Sequence, residues 1–302
     1  MAWGLEIAPD RLRLCRAELR RGHILVRRVV DAVIPPGMVQ PSIKETKLAD
    51  VPALTAALRS LRRRGGCRGW VRVALPDPLF ILRTIATDQL PGEREAARRF
   101  LCWQARDLLP FPAEQARLDY LNVGPGPDGR ARLACLVARH SLLADYERAL
   151  QGAGFRAGTL DARSVSLAQA TSVILTARTA GLLTGDGNRA TLLLIQEGRP
   201  QLWRILAADG AADGDQVRLI RDVADSLAFF QESEGLGPLE RVLVHGMGPR
   251  TDEIALGLAR WLELPVSVLD LAEAFAPGAR PGGSAAELTR WGAAIGAAIR
   301  PW

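Results

Sequence analysis

The sequence predicts an α/β protein built from two lobes. A chain of 302 residues is about twice the size of a typical domain of ~150 residues. Its hydrophobic content of 48% and charged content of 24% are those of an ordinary globular protein. Along the chain, a hairpin pattern, an amphipathic helix pattern and a buried strand pattern follow one another, and this order occurs twice. We therefore expect two cores of similar build.

Lobe one is predicted to begin with a sheet that a helix covers. Apolar positions alternate on both sides of a turn at 8–10, which is typical of a β-hairpin. Leu54, Leu58 and Leu61 form one apolar stripe on the first helix. In chain order, the predicted elements are a hairpin at 3–17, a strand at 23–32, a helix at 52–64, a strand at 70–75 and, after an insertion, a strand at 158–161 and a helix at 163–177.

The insertion, at about residues 79–155, is predicted to form a small α+β subdomain of lobe one. Its predicted elements are a strand at 80–86, a helix at 92–108, strands at 116–123 and 131–138, and a helix at 141–153.

Lobe two repeats the order of lobe one. We place lobe one at 1–178 and lobe two at 179–302, with a Gly- and Thr-rich crossing at 181–189. The small residues of the last helix would let it pack closely on a sheet, back toward lobe one. The predicted elements are a hairpin at 190–196 and 199–207, a helix at 216–233, a strand at 241–245, a helix at 251–262, a strand at 266–269 and a helix at 285–299.

The basic residues are unusual in type. Lys44 and Lys47 are the only lysines, so 37 of the 39 basic residues are arginines, spread along the whole chain. The densest run, at 62–64, ends an apolar helical stretch, where basic groups complement the helix dipole. An even spread indicates codon bias, whereas a nucleic-acid footprint needs a patch on one face. We predict no nucleic-acid partner, despite the net charge of +6.

The cysteines and histidines predict no metal site. Cysteines 15, 67, 102 and 135 form no Cys-x-x-Cys pair, and the three histidines lie apart from them. The sequence has no leader pattern and no apolar run of the ~20 residues that cross a bilayer. We therefore predict a cytoplasmic protein with reduced thiols, which reaches the inner membrane only through a partner.

Several sequence segments, taken in order, are distinctive. The most specific is Leu-Pro-Phe-Pro at 109–112 followed by Leu-Asp-Tyr at 118–120. Further segments, which extend the series over nearly the whole chain, are Val-Ala-Leu-Pro at 73–76, Ser-Leu-Ala-Phe-Phe-Gln at 226–231 and Leu-Glu-Leu-Pro-Val at 262–266. In this series the chain resembles the PilM family of type IV pilus assembly proteins. The resemblance implies an actin-like (RNase-H-like) two-lobed fold with a small inserted α+β subdomain in lobe one.

The resemblance also implies a function. Members of this family are cytoplasmic scaffolds of the pilus inner-membrane platform that bind the short tail of a PilN-like membrane protein, alongside other platform proteins. We expect an extended tail to bind between the core sheet and the inserted subdomain of lobe one, by strand addition and side-chain pockets. Trp103, Phe111 and Tyr120 are the candidate partner residues, although anchoring a buried turn is the more common role for a residue such as Phe111, and the same alternative applies to the other two.

ATP with Mg²⁺ is the cofactor that the resemblance suggests. Family members with a working site have Asp-Ile-Gly at a first phosphate turn, where backbone N–H groups hold phosphate. Here Glu6 replaces the aspartate, Ala8 replaces the glycine, and Pro9, which precedes Asp10, has no N–H. Such changes predict poor phosphate binding at this turn.

The other two turns are also degenerate. Asp186 and Gly187 stand near the expected second turn but out of register, and Gly246 and Gly248 form a weak third motif. The segment between Ala207 and Val217 is shorter than the family's helical insertion. Because phosphoryl transfer depends on positioned charges and donors, we predict a pseudo-ATPase and assign no catalytic residue.

Two alternatives stay open. One is an ATP-binding ATPase or phosphotransferase of the same fold, with Asp161 as a base, although a helix-capping role explains that residue as well. The other is the cytoplasmic component of a type II secretion platform, which has a similar fold.

Overall fold

The chain forms several mixed α/β layers that divide into two compact units. The computed structural model describes residues 1–45, 47–126, 128–208, 213–234, 237–276 and 284–300. Unit 1 comprises residues 1–79, 141–176 and 269–302, and unit 2 comprises residues 80–140 and 177–268. This grouping by contacts differs from the predicted lobes, which followed chain order.

Thirteen strands occur in the described residues. They are β1 Ala2–Ile7, β2 Arg11–Arg20, β3 His23–Val33, β4 Trp70–Leu75, β5 Phe80–Thr87, β6 Ala116–Pro125, β7 Ala131–Arg139, β8 Arg156–Ala162, β9 Thr179–Asp186, β10 Arg189–Gln196, β11 Arg199–Ala207, β12 Arg241–His245 and β13 Val266–Val268.

Eight α-helices occur in the same part of the chain. They are α1 Val51–Gly65, α2 Arg94–Ala105, α3 His140–Gly152, α4 Arg163–Thr171, α5 Asp213–Glu234, α6 Thr251–Leu262, α7 Ala285–Thr289 and α8 Gly292–Ile299. Within the described residues, no helix is long and apolar enough to cross a membrane.

The sheet of unit 1 has the order β3-β2-β1-β4-β8. β1, β2 and β3 are antiparallel neighbours, whereas β1, β4 and β8 run parallel. α1 begins after Asp50, whose side chain accepts from the N–H of Ala53, and it ends at Gly66, which has the left-handed conformation. The predicted hairpin, third strand, helix and parallel strand are all present.

Glycines let the last helix pack against the interior of unit 1. A Cβ on Gly296 would lie 1.7 Å from the carbonyl oxygen of Ser166 in α4, and one on Gly4 would lie 1.9 Å from that of Ala294. α8 is therefore in backbone contact with α4 and β1. The predicted tail helix is divided at residues 290–291 into α7 and α8.

Unit 2 contains two sheets. The larger has the order β11-β10-β9-β12-β13, and the smaller has the order β5-β7-β6. α5 and α6 cover the larger sheet, with Leu192, Val223, Val244 and Ile254 in the shared core. In the smaller sheet β6 is an edge strand that pairs with β7. The Gln201 side chain donates to the Val123 carbonyl at 3.3 Å, which links β11 to β6.

The crossing predicted at 181–189 is wrong, because this segment forms most of the central strand β9. Its glycines had indicated a loop, but they admit close neighbours: a Cβ on Gly181 would lie 3.1 Å from the Val242 side chain of β12. The helix predicted at 163–177 ends at Thr171. Part of the short segment between Ala207 and Val217 lies outside the described residues.

The two five-stranded sheets have the same topology. In each, three antiparallel strands are followed by two parallel ones, and the equivalent strands occur in the same chain order. The duplication suspected from the sequence is therefore present in the connectivity, with β9 equivalent to β1.

Candidate functional site

The first phosphate turn is the three-residue loop Ala8-Pro9-Asp10 between β1 and β2. The N–H of Ala8 donates to the carbonyl of Arg11 at 2.9 Å, so the turn itself uses this donor. Pro9 has no N–H. Ala8 does not adopt a positive φ, so the loop lacks the left-handed conformation that a glycine would allow. Only Asp10 is left to offer a backbone N–H to a phosphate.

Glu6, at the position where the resemblance predicts an aspartate, is held in a buried ion cluster. Its two carboxylate oxygens accept from Arg13 at 3.0 Å and from Arg163 at 2.8 Å, and the residue is fully buried. Burial alone raises the pKa of Glu6, but the two guanidinium groups outweigh it and hold the pKa below its ordinary value. The carboxylate is therefore ionised and already paired with the protein's own cations.

The N-terminus of α4 is also occupied by a side chain of the protein. Helix N-termini favour anions because their first N–H groups lack partners. Here Asp77, which is 1% exposed, accepts from the N–H of Ser164 at 2.9 Å and from its hydroxyl at 3.0 Å. Asp77 follows β4, so a separate element supplies the cap.

Asp161, the candidate base, lies at the end of β8 in contact with Arg300. Its carboxylate forms an ion pair with Arg300 and accepts from the N–H of Ala162. It does not cap α4; Asp77 does, so the capping role suggested for Asp161 is wrong. Nearby, Arg72 donates to the carbonyl of Ala298 at 2.7 Å and so satisfies the C-terminal end of α8.

The contacts of Glu6, Asp161 and the first turn determine whether unit 1 can hold a Mg²⁺-bound phosphate. Hydrated Mg²⁺ needs carboxylates that are not held by other cations, and phosphate needs several unused N–H donors. Glu6 and Asp161 are each paired with arginine, and the turn retains one donor. The first half of the site therefore does not fit the cofactor.

The second turn is a tight hairpin between β9 and β10. Asp186 pairs with Arg189, so the loop contains only Gly187 and Asn188, and Gly187 has a φ of 66°. The turn is topologically equivalent to Ala8–Asp10. Thr184 takes the strand position of Glu6, as the last residue paired with the parallel neighbour, and its hydroxyl lies 3.2 Å from Nδ1 of the buried His245.

The third motif, Gly246-Met247-Gly248, connects β12 to α6. Both glycines have positive φ, of 71° and 62°. A Cβ on Gly185 would lie 2.6 Å from the carbonyl oxygen of Gly246 and 2.6 Å from the sulfur of Met247. The close approach of β9 to this turn gives the glycines a packing role that needs no nucleotide.

The three candidate partner residues lie in the subdomain of unit 2 and differ in exposure. Trp103 on α2 is 59% exposed, and the Arg106 guanidinium lies 4.5 Å from its ring centre. Phe111 is buried, with Arg139 at 4.9 Å from its ring centre, as expected of a turn anchor. Tyr120 is half-buried on the edge strand β6.

A depression of about 600 Å³ also lies in this subdomain. Its lining includes Thr87, Leu90 and Phe100 but none of the predicted nucleotide or partner residues. It therefore adds no support to either predicted site.

The sequence did not reveal four residues that hold these acids or cap α4: Arg13, Asp77, Arg163 and Arg300. The hairpin register contained one signal, since Arg13 is the cross-strand partner of Glu6 and opposite charges there attract. The other three make long-range contacts that spacing does not reveal.

Comparisons with known proteins place this fold. No family model and no curated protein matches the chain. Among solved structures, the chain is similar to one from a PilM-PilN type IV pilus biogenesis complex, with a TM-score of 0.83 and 22% identity over 99% of both chains.

Two further structures share the architecture at lower similarity. The cytoplasmic domain of EpsL, an inner-membrane component of the type II secretion system of Vibrio cholerae, has a TM-score of 0.50 and 13% identity, over 96% of this chain and 92% of that one. A Bacteroides thetaiotaomicron protein with an actin-like ATPase fold has a TM-score of 0.51 and 9% identity, over 87% and 88%. The chain therefore has the actin-like ATPase fold, and over 99% of its length it is similar to the matched chain of the PilM-PilN complex.

Proposed function

We propose that this chain is a cytoplasmic scaffold of the type IV pilus inner-membrane platform, which binds the short tail of a PilN-like membrane protein. The observation that supports this proposal best is the similarity to a chain of the PilM-PilN complex, which extends over 99% of both chains. The similarity to the type II secretion domain is weaker, at a TM-score of 0.50, so we favour the pilus platform.

The scaffold works as a pseudo-ATPase. The support is the buried cluster of unit 1, in which Arg13 and Arg163 hold Glu6 and the turn keeps a single N–H donor. Phosphoryl transfer needs carboxylates to hold the metal and N–H donors to hold the phosphates. Because the protein's own residues already occupy these groups, they argue against ATP hydrolysis. Tail binding is accordingly independent of nucleotide.

The tail binds the subdomain that carries Trp103 and Tyr120. An extended peptide can add to an edge strand, and β6 is the edge strand that carries Tyr120. Trp103 is the most exposed aromatic residue of the subdomain, and aromatic anchors dominate many interfaces.

Calorimetric titration with a PilN-type tail peptide, with and without Mg-ATP, tests this function. We expect micromolar binding that Mg-ATP leaves unchanged. We expect Trp103→Ala to weaken binding about tenfold or more, as for an interface hot spot. Trp261→Ala is the matched control, because Trp261 is 50% exposed on α6 of the same unit. Absence of peptide binding under both conditions would overturn the assignment and favour an enzyme of this fold.

A further inference from the structure

The net positive charge of the chain lies in unit 1. Unit 1 contains 21 of the 39 basic residues and 13 of the 33 acidic residues, which is a net charge of +8. Unit 2 contains the remaining 18 and 20, a net charge of −2. The arginines are divided almost evenly, with 19 in unit 1 and 18 in unit 2, so the difference in net charge comes mainly from the acidic residues.

Strand pairing gathers part of this charge at one end of the unit 1 sheet. Arg28 on β3 pairs with Arg16 on β2, which pairs with Trp3 near the start of β1. Trp70 begins β4 at the same end, directly after Arg68 and Gly69. A β-bulge at Arg16 increases the local density of positive charge, because Arg27 and Arg28 together lie opposite Arg16.

The last turn of α1 adds arginines along β3, from Arg28 toward Asp31, which pairs with Arg13. Arg28 donates to the carbonyl of Arg64 at 2.8 Å, and Arg64 donates to the carbonyl of Asp31 at 2.6 Å. Burial raises the pKa of Cys67 to about 11, and the nearby Arg62 and Arg16 guanidinium groups oppose that rise. We call this end of unit 1, with the exposed Arg16, Arg28, Arg63, Arg64, Arg68 and Trp70, the arginine face. Because Val71 pairs with Trp3, Trp70 lies on the opposite side of the sheet from Arg16.

The arginine face has no carboxylate partners. Within the described residues, none of its five arginines has a carboxylate oxygen within 4.0 Å, and all five are exposed. At the other end of the same sheet, Arg13, Arg163 and Arg300 are each paired with an acid. Hydrogen bonds to carbonyls leave the positive charge of the face uncompensated, and the negative end of the α1 dipole offsets only part of the repulsion.

Exposed apolar side chains accompany these charges. Trp70 is 57% exposed, and Leu19, beside the Arg20-Arg21-Gly22 turn that joins β2 and β3, is 49% exposed. Tryptophan together with basic residues is the composition that peripheral proteins present to the interface of an anionic bilayer. A nucleic acid or an acidic protein as partner would explain the arginines. It would not explain why Trp70 and Leu19 are exposed beside them.

We propose that the arginine face binds an anionic phospholipid surface. Each guanidinium near such a surface increases partitioning by about fivefold, and Trp70 inserts at the level of the head groups. The choice of a membrane as occupant rests in part on the proposed function, which brings the chain close to a bilayer through a partner tail. The face itself is a second contact, made by the chain alone.

Co-sedimentation of the full chain with phospholipid vesicles tests this proposal. We expect binding to phosphatidylcholine vesicles that contain about a third phosphatidylglycerol, weak binding to phosphatidylcholine alone, and loss of binding when NaCl is raised from about 0.1 to about 0.5 M. The triple variant Arg28→Gln, Arg63→Gln, Arg64→Gln is expected to lower the partition constant at least tenfold. Because Arg28 and Arg64 also hold the fold together, Arg63→Gln with Arg68→Gln serves as a second variant.

The matched control removes the same charge from unit 2. Arg189, Arg221 and Arg260 are exposed and, within the described residues, have no ion-pair partner, so their glutamine variants should change the partition constant less than about threefold. Equal losses in control and test variants, or no binding of the unaltered chain to anionic vesicles at low salt, would overturn the proposal. Tighter binding to duplex DNA than to vesicles, lost in the same variants, would overturn it in favour of nucleic acid.

Calorimetry on the same variants separates this proposal from the proposed function. We expect the variants of the arginine face to bind the tail peptide as the unaltered chain does. Vesicle binding without peptide binding would support lipid binding by the arginine face and reject the PilN-like partner. Peptide binding without vesicle binding would support the PilN-like partner and reject lipid binding by the arginine face.

Discussion

The carboxylate of Glu6 lies between two guanidinium groups, and this environment determines what the residue can do. At the scale of single residues, three buried acids near strand ends of unit 1 have internal partners: Glu6 has Arg13 and Arg163, Asp77 has Ser164, and Asp161 has Arg300. Two guanidinium groups of the protein itself therefore neutralise the carboxylate of Glu6.

Glu6→Gln should destabilise the protein strongly. Removing the acid leaves Arg163, whose side chain is 7% exposed, without its counter-charge. Breaking a buried ion pair in this way costs about 3–5 kcal/mol, measured as the free energy of unfolding in urea. Glu114→Gln, on an exposed turn, is the control and should change it by less than about 0.5 kcal/mol. A small effect at Glu6 would contradict the ion cluster.

The stabilisation by Glu6 should also depend on pH. Because the pKa of Glu6 is lowered in the folded protein, its stabilisation is present above the ordinary value of 4.5 and is lost as the pH falls through the folded value. The difference in unfolding free energy between the unaltered protein and Glu6→Gln should thus be constant near neutral pH and shrink below pH 4.5. A difference that grows on acidification would contradict the sign of the shift.

Asp77→Ala tests the capping of α4. The buried carboxylate holds both the N–H and the hydroxyl of Ser164, so its loss leaves buried donors unsatisfied and should cost about 2–3 kcal/mol. Asp50→Ala removes the exposed cap of α1 and should cost about 1 kcal/mol. Equal effects in thermal or urea unfolding would show that the position of Asp77 has no special role.

At the scale of elements, α8 is held by backbone contact. Gly292 and Gly296 on one face meet α4, and Ala294 approaches Gly4 of β1. An eight-residue helix has little stability of its own, so packing supplies nearly all of it. The same reasoning explains why β9 was mistaken for a loop: its glycines serve close packing in a strand.

Gly296→Ala should therefore destabilise the fold although alanine is the better helix former. Its Cβ would lie 1.7 Å from the Ser166 carbonyl oxygen, and a packed backbone cannot move far to relieve the clash. We therefore expect the free energy of unfolding to fall by about 2–3 kcal/mol or more. Gly257→Ala in α6 is the control, because its Cβ meets only the flexible end of Ile220 and the helix propensity gain of about 1 kcal/mol offsets the contact. Urea unfolding that ranks the two variants the other way would refute this packing.

At the scale of the whole molecule, the two five-stranded sheets share one topology but differ in how their charges are placed. Unit 1 holds an internal ion cluster beside its first hairpin turn, where Glu6 meets Arg13 and Arg163. It also has the arginine face, whose arginines have no ion-pair partner among the described residues. The carboxylate of Glu6 is thus part of the core of unit 1.

Mg-ATP should accordingly leave thermal stability almost unchanged. A bound ligand raises the free energy of unfolding by an amount that depends on the logarithm of one plus the ratio of ligand concentration to Kd. If Mg-ATP binds weakly, about 1 mM Mg-ATP should therefore shift Tm by less than about 1 °C. Mg²⁺ with inorganic triphosphate is the control for nonspecific effects of charge. A shift of several degrees that rises with ATP concentration and is absent with triphosphate would show that the nucleotide site is intact.

The sequence by itself determined the fold class, the order of most elements and the degeneracy of the first turn, because period, turn chemistry and the missing N–H of Pro9 are local properties. The resemblance of its segments to a known family also predicted the actin-like fold that the structure has. Tertiary structure alone decided that 181–186 is a strand, that Asp77 caps α4, and that Arg300 reaches Asp161, because each depends on contacts between residues far apart in the chain. The clustering of arginines was hidden for the same reason: Arg16, Arg28 and Arg64 become neighbours only when β2, β3 and α1 pack together.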